Sequence, residues 1–168
     1  MPVDQSRRSL LFGRKPAVKT APIFRPPWAI EQFTEQCTRC GECLSACPSQ
    51  IIVAGDGGFP EIDFSRGECT FCGECRDACQ PKALSLIAEM AWAQHIEIAS
   101  DCMAQQGVDC RVCGEMCDAK AIHFQLSLGR VAQPIIESDL CTGCGACVAP
   151  CPSAAIKMVQ RQAQTMEA

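Results

Sequence analysis

Two histidines, no tyrosine and an aromatic content of 5% leave this 168-residue chain poor in the groups that most often carry acid-base chemistry. His95 and His123 fall on linker or strand-like segments with no partner at a useful spacing, which favours surface or half-buried roles over catalysis or ligation. The acids are scattered, and neither a phosphate-cradling glycine loop nor a flavin or dinucleotide fingerprint occurs. No stretch approaches 18 apolar residues, so no segment is expected to span a membrane. These shortages argue against an enzyme.

What the chain has is cysteine, sixteen of them in four groups of four. Three groups repeat one spacing: Cys37, Cys40, Cys43, Cys47; Cys69, Cys72, Cys75, Cys79; and Cys141, Cys144, Cys147, Cys151. Three thiolates at three-residue intervals can cap three corners of one iron-sulfur cubane, while the fourth, after a three-residue gap, points to a second cluster. A disulfide framework fits poorly, because three cysteines within seven residues would close short, strained loops. Structural zinc fits poorly too, since it takes two Cys-x2-Cys pairs separated by a longer loop. The expectation is four [4Fe-4S] clusters.

The residues after each group form one pattern. Cys47-Pro48-Ser49-Gln50-Ile51-Ile52, Cys79-Gln80-Pro81-Lys82-Ala83-Leu84, Cys117-Asp118-Ala119-Lys120-Ala121-Ile122 and Cys151-Pro152-Ser153-Ala154-Ala155-Ile156 each lead through small or turn-forming residues to an apolar pair entering a strand. The chain therefore reads as four copies of one unit. The third copy is irregular: alignment of Cys110, Cys113 and Cys117 puts Gly107 where the first cysteine belongs, and Cys102 lies five residues earlier. A looped insertion, residues 103–109, can return Cys102 to that corner. The alternative is a lone thiol beside an incomplete third cluster.

Connectors suggest how the copies pair. Residues 51–64 and 122–136 each read as strand, turn, strand, whereas 84–99 lacks turn punctuation and reads as a link carrying one short helix or strand. The first copy then pairs with the second and the third with the fourth; a nested pairing, first with fourth and second with third, stays open. After a basic arm, about 140 residues must house four cofactors, so metal binding is expected to supply much of the folding free energy.

Charge divides unevenly. Residues 1–28 carry six Lys+Arg against one acid, and residues 29–168 carry nine against eighteen. An acidic body suits basic protein partners and not nucleic acid. In the arm, Ser6-Arg7-Arg8-Ser9-Leu10-Leu11 is similar to a twin-arginine export signal, but Gly13-Arg14-Lys15-Pro16 interrupts the apolar run that export requires. The arm is expected to stay uncleaved and the protein to be cytoplasmic. Pro16, Pro22, Pro26 and Pro27 favour an extended arm that lies across the body or grips a partner, ending in Trp28, which either docks or covers the first cluster.

The Ser-Arg-Arg arm, Arg25-Pro26-Pro27-Trp28, Cys37-Thr38-Arg39-Cys40, Gly57-Gly58-Phe59-Pro60, Trp92, Asp109-Cys110-Arg111 and Cys141-Thr142-Gly143-Cys144-Gly145-Ala146-Cys147 together resemble the NapF family, ferredoxin-type accessory proteins of the periplasmic nitrate reductase system. The resemblance implies a cytoplasmic iron-sulfur protein that assists maturation of the catalytic nitrate reductase subunit before export, by supplying electrons or helping to install a cluster, and that meets other redox proteins. A general electron-transfer subunit between a quinol or dehydrogenase module and a reductase is the competing class. The implied fold is small and α+β, with two tandem bacterial-type 2[4Fe-4S] ferredoxin-like units, each pseudo-twofold, over residues 29–88 and 89–168, behind an arm of residues 1–28. Resemblance to bacterial ferredoxins further implies exchanged ligands: Cys79 with Cys37, Cys40 and Cys43; Cys47 with Cys69, Cys72 and Cys75; Cys151 with Cys102, Cys110 and Cys113; and Cys117 with Cys141, Cys144 and Cys147.

Overall fold

Every group of cysteines ends in the same backbone turn. Gln50, Lys82, Lys120 and Ala154, each three residues past a group's last cysteine, take left-handed φ values of 52°, 56°, 52° and 49°. Their amides donate to the carbonyls of Cys47, Cys79, Cys117 and Cys151 at 3.1, 3.0, 3.0 and 3.1 Å. Left-handed backbone costs a non-glycine residue roughly 1–2 kcal/mol, so a fourfold recurrence implies an offsetting gain. That gain is burial of the next residue, Ile51, Ala83, Ala121 or Ala155, at 1% exposure or less. The carbonyls of these four accept amides from Asp63, Ile30, Glu137 and Ala99, so each turn is fastened to a neighbouring segment.

This computed structural model describes residues 22–85 and 91–160. The Ser6-Arg7-Arg8 segment, most of the basic arm and part of the expected link lie outside the described residues. Among the described residues, six strands pair as three two-stranded antiparallel sheets. In the first half, β1 (Ile52–Ala54) returns through a short 3-10 turn at Asp56–Gly58 to β2 (Pro60–Ile62), with Ile52 opposite Ile62. In the second, β4 (Ile122–Ser127) and β5 (Arg130–Ile136) form a longer hairpin with a register shift between Gln125 and Ser127.

The ends of each half also meet. β3 (Gln94–Ile98) pairs with β6 (Ile156–Gln160), and the corresponding contact in the first half is a single bridge between Ala29 and Leu84. Alternation explains the β3–β6 sheet: Gln94, Ile96, Ile156 and Met158 are buried, while Glu97 and Lys157 face solvent. The link thus carries the strand alternative of the sequence reading. The helices among the described residues are single turns: α1 (Phe33–Gln36), α2 (Glu42–Ala46), α3 (Glu74–Asp77) and α4 (Val112–Glu115). None of the described helices is long and apolar enough to cross a membrane.

The described end of the arm belongs to the body. The Ile62 amide donates to Phe24 O at 2.8 Å, Arg25 Nη1 lies 3.6 Å from Glu61 Oε1, and Pro26 and Pro27 are fully buried. Trp92 ties the two halves together, stacking edgewise on Phe64 and Phe71 at centroid distances of 5.8 and 5.7 Å while its Nε1 donates to Thr142 O at 3.0 Å. Beside it, Gln94 Nε2 donates to Gly143 O at 3.0 Å. One apolar core runs through both halves.

Candidate metal centres

α2 and α3 set the first two sites. Cys43 lies within α2 and Cys47 just past its end, so the four-residue step carries the chain about 6 Å along the helix axis. Cys75 lies within α3 and Cys79 two residues past its end, and α3 packs against α2. The result is an exchange. Cys37, Cys40, Cys43 and Cys79 line one cavity of about 350 Å³, and Cys47, Cys69, Cys72 and Cys75 line another of about 330 Å³.

A third cavity of about 360 Å³ is lined by Cys102, Cys110, Cys113 and Cys151. The insertion at residues 103–109 is a tight coil: Gln106 N donates to Cys102 O at 3.0 Å and Val108 N to Met103 O at 2.9 Å. Ala104 is buried at its base, where its carbonyl accepts from Gln133 Nε2 at 2.8 Å. The coil brings Cys102 to the corner that Gly107 occupies in the linear alignment. Of the remaining four, Cys141, Cys144 and Cys147 are neighbours in one loop, and Cys117, four residues past Cys113, accepts a hydrogen bond at Sγ from the Ala121 amide at 3.3 Å.

Two observations test whether these residues suit an iron-sulfur group. No disulfide joins any of the sixteen cysteines, all of which are among the described residues. Among the described residues, moreover, no three Cys, His, Asp or Glu side chains converge to hold a single metal ion. Four cysteines line each of the three shared cavities, walled by Pro27, Ile51 and Ile62 in one case and by Ile98, Phe124 and Pro134 in another. Four thiols around a largely apolar cavity, drawn from motifs with the Cys-x2-Cys-x2-Cys spacing, suit a cubane, in which each thiolate binds a different iron.

Burial and mutual crowding set the thiol chemistry. Burial, reinforced by Cys75 and Cys37, pushes the Cys43 thiol up to about 12. Burial with Cys69 nearby does the same for Cys75, also to about 12, and burial with Cys144 and Cys141 nearby for Cys147. Cys69 and Cys113 are pushed up to about 11 by the same desolvation. At Cys151 burial also raises the thiol, but hydrogen bonds from the Ala155 amide and the Ser153 hydroxyl outweigh it and leave the thiol below its ordinary value. Thiols that resist ionising in an apolar wall are stabilised as thiolates by bound cations.

Trp28 corrects one expectation. It lines the cavity of Cys47, Cys69, Cys72 and Cys75, the second group and not the first. The cause is its backbone: Trp28 has a φ of 63°, its amide donates to Ala91 O, and its carbonyl accepts from Ser85 N. That anchoring turns the ring away from the first group and under Arg76, whose guanidinium sits 5.3 Å from the ring centroid. The first cavity is closed by Phe33, Pro60 and Leu84 instead.

Some wall residues were not singled out from the sequence. Phe124 and Pro134 close the third cavity from β4 and β5, and Phe64 packs against the loop of Cys144 and Cys147. The usable signal was alternation in the connector hairpins, since Phe124 follows the buried Ile122 by two residues on one strand face. His123 lies on the opposite face, with Nε2 3.1 Å from Glu137 Oε1 at the surface. His95 Nδ1 is buried without a hydrogen-bond partner.

Comparison with known proteins agrees with this geometry. The 4Fe-4S dicluster domain family matches residues 36–83, and the 4Fe-4S binding domain family matches residues 134–157. The stretched third motif lies between them. The ferredoxin-type protein NapF of Haemophilus influenzae is 50% identical over 136 residues, covering 80% of this chain and 77% of that protein. The ferredoxin-type protein NapF of Escherichia coli K12 is 41% identical over 158 residues, covering 93% and 95%. The methylamine utilization ferredoxin-type protein MauM of Methylobacillus flagellatus is 28% identical over 177 residues, covering 92% and 75%.

Proposed function

The chain belongs to the NapF family of ferredoxin-type iron-sulfur proteins, and from that premise we propose that it holds four [4Fe-4S] clusters and serves the periplasmic nitrate reductase system as a cytoplasmic accessory protein. It acts on the catalytic subunit before export, by supplying electrons or helping to install a cluster, and is not itself an enzyme. The observation that supports this most is the set of three apolar cavities, each lined by four cysteines drawn from two motifs.

All sixteen cysteines are ligands in this reading. Cys37, Cys40, Cys43 and Cys79 hold the first cluster; Cys47, Cys69, Cys72 and Cys75 the second; Cys102, Cys110, Cys113 and Cys151 the third; and Cys117, Cys141, Cys144 and Cys147 the fourth. A bound cluster takes up and releases single electrons. The residues around it exclude water, and backbone amides such as Phe71 N, 3.4 Å from Cys69 Sγ, stabilise the negative sulfurs. Two pseudo-twofold ferredoxin-like units, residues 29–88 and 89–168, carry two clusters each.

Because Pro26, Pro27 and Trp28 are buried in the body, the arm available to a client is the segment before them. The test is to remove residues 1–21 and measure both binding to the catalytic-subunit precursor and electron transfer to it. Loss of binding with all iron retained supports the accessory role. Unchanged binding, with electrons passing catalytically from a donor to an acceptor, supports the general electron-carrier reading instead.

A further inference from the structure

The first and second cavities are joined by the four-residue step from Cys43 to Cys47, and in the ligand assignment above the third and fourth sites are joined by the step from Cys113 to Cys117. A third joint connects the halves. The Cys69 amide donates to the Cys144 carbonyl at 2.8 Å, so a wall residue of the second cavity is hydrogen-bonded to a residue of the fourth group. The same seam holds Phe64, packed on Gly145 with no room for a β-carbon, and Trp92, wedged against Phe64 and Phe71 and bonded to Thr142. Among the described residues, none that lines the third cavity makes one of these contacts. Cys102, Cys110 and Cys151 are backed by Ile98, Phe124 and Pro134.

We propose that the four sites form one unbranched row, in the order first, second, fourth, third, joined across the halves at Cys69 and Cys144, with the first and third sites as its two ends. The order of sites in space therefore differs from their order in sequence. This rests on the four-cluster reading above. An electron given up by a reduced one-electron redox protein at one end reduces that site. Each later step oxidises one site as it reduces the next, with no atom or proton moved, until an oxidised one-electron acceptor takes the electron at the other end. The ends differ in their rims: Arg25 and Arg39 stack over Phe59 beside the first site, and the exposed Leu126 and Leu128 crown the hairpin beside the third. Donor and acceptor thus meet different chemistry.

The order is tested by electron paramagnetic resonance of fully reduced holoprotein, where neighbouring clusters broaden and split one another's signals. Removing the third site with Cys110→Ala should leave about twelve irons per chain and three mutually coupled clusters, with no isolated signal. Removing the fourth with Cys141→Ala should leave a coupled first pair and one isolated, uncoupled spin from the third. An isolated spin in Cys110→Ala, or none in Cys141→Ala, overturns the row.

Wild-type holoprotein gives an independent check should either variant fail to load. Hydrogen exchange should be slow at residues 69–72 and 143–145, and Trp92→Ala should speed both by roughly tenfold or more together, with residues 110–117 unaffected. Fast wild-type exchange at Cys69 overturns the joint. Wild-type protein without iron and sulfide sinks the cluster reading itself, whereas full loading with the wrong coupling pattern sinks the order alone.

Discussion

Phe64 lies against Gly145 so closely that a β-carbon on the glycine would overlap the phenyl ring. Gly145 also has a left-handed φ of 81°, the value that Gly41 has in the first motif, but Gly41 has nothing within 4 Å of where a β-carbon would sit. The two glycines separate backbone cost from packing cost. Gly41→Ala should lose roughly 1–2 kcal/mol, the left-handed term alone. Gly145→Ala should lose about 1–3 kcal/mol more from overpacking at the seam between the halves. Thermal bleaching of the visible iron-sulfur absorbance of the two holoproteins measures the difference; equal midpoints would remove Phe64 from the account.

Cys102 joins its cavity only through the coil at residues 103–109. Cys102→Ala should therefore lower the iron count from about sixteen to about twelve per chain on anaerobically purified protein, one cubane being lost. A count that stays near sixteen would mean that another group completes the third site. Gln133→Ala, which removes the bond to Ala104 O at the base of the coil, should loosen the coil without removing a ligand. Slower loading of the third cluster with an unchanged final count is the expected outcome.

Spacing carried most of what is legible in the chain. Three regular motifs, the hairpins at residues 52–62 and 122–136, and the fourfold turn after each last cysteine can be read from sequence because each is local, set within about six residues by turn chemistry and alternation. The position of Cys102 was legible only as an insertion, since its placement needs the Gln133 contact from 29 residues away. The seam was not legible. Trp92 and Phe71 are 21 positions apart in the chain, Phe64 and Gly145 still further, and no periodicity links residues that meet only after both halves have formed. Trp28 escaped for a related reason: its amide and carbonyl are claimed by Ala91 and Ser85, so distant backbone decides which site its ring covers.

Trp28→Ala should act on the second site without touching a ligand. The ring is 9% exposed, walls the cavity of Cys47, Cys69, Cys72 and Cys75, and carries the Arg76 guanidinium on its face. Truncation of a buried tryptophan costs about 3–5 kcal/mol, and here it would also admit water to the sulfurs. The holoprotein should still load about sixteen irons under argon and then lose one cluster ahead of the others in air. Trp28→Phe should restore most of the lifetime. Oxygen lifetimes unchanged from wild type would mean that the ring is not the barrier.

Cluster loading should rise with pH. Burial holds the thiols of Cys43, Cys75 and Cys147 at about 12, and those of Cys69 and Cys113 at about 11, above the ordinary 9.0. In the iron-free fold these groups stay protonated well past the pH at which an unfolded chain ionises. Their raised values therefore stabilise the iron-free fold below about pH 9, and that contribution is lost as pH climbs toward 11 and 12. The iron-bound ligand is the thiolate, so each of these five gives up a proton on metal binding throughout the neutral range. Raising the pH should favour the loaded protein by up to about tenfold per unit for each proton released. Anaerobic reconstitution with iron and sulfide, limited by a competing chelator, should give higher iron occupancy at pH 8.5 than at pH 6.5. Occupancy that is flat across that interval would show that the thiols enter the reaction already ionised.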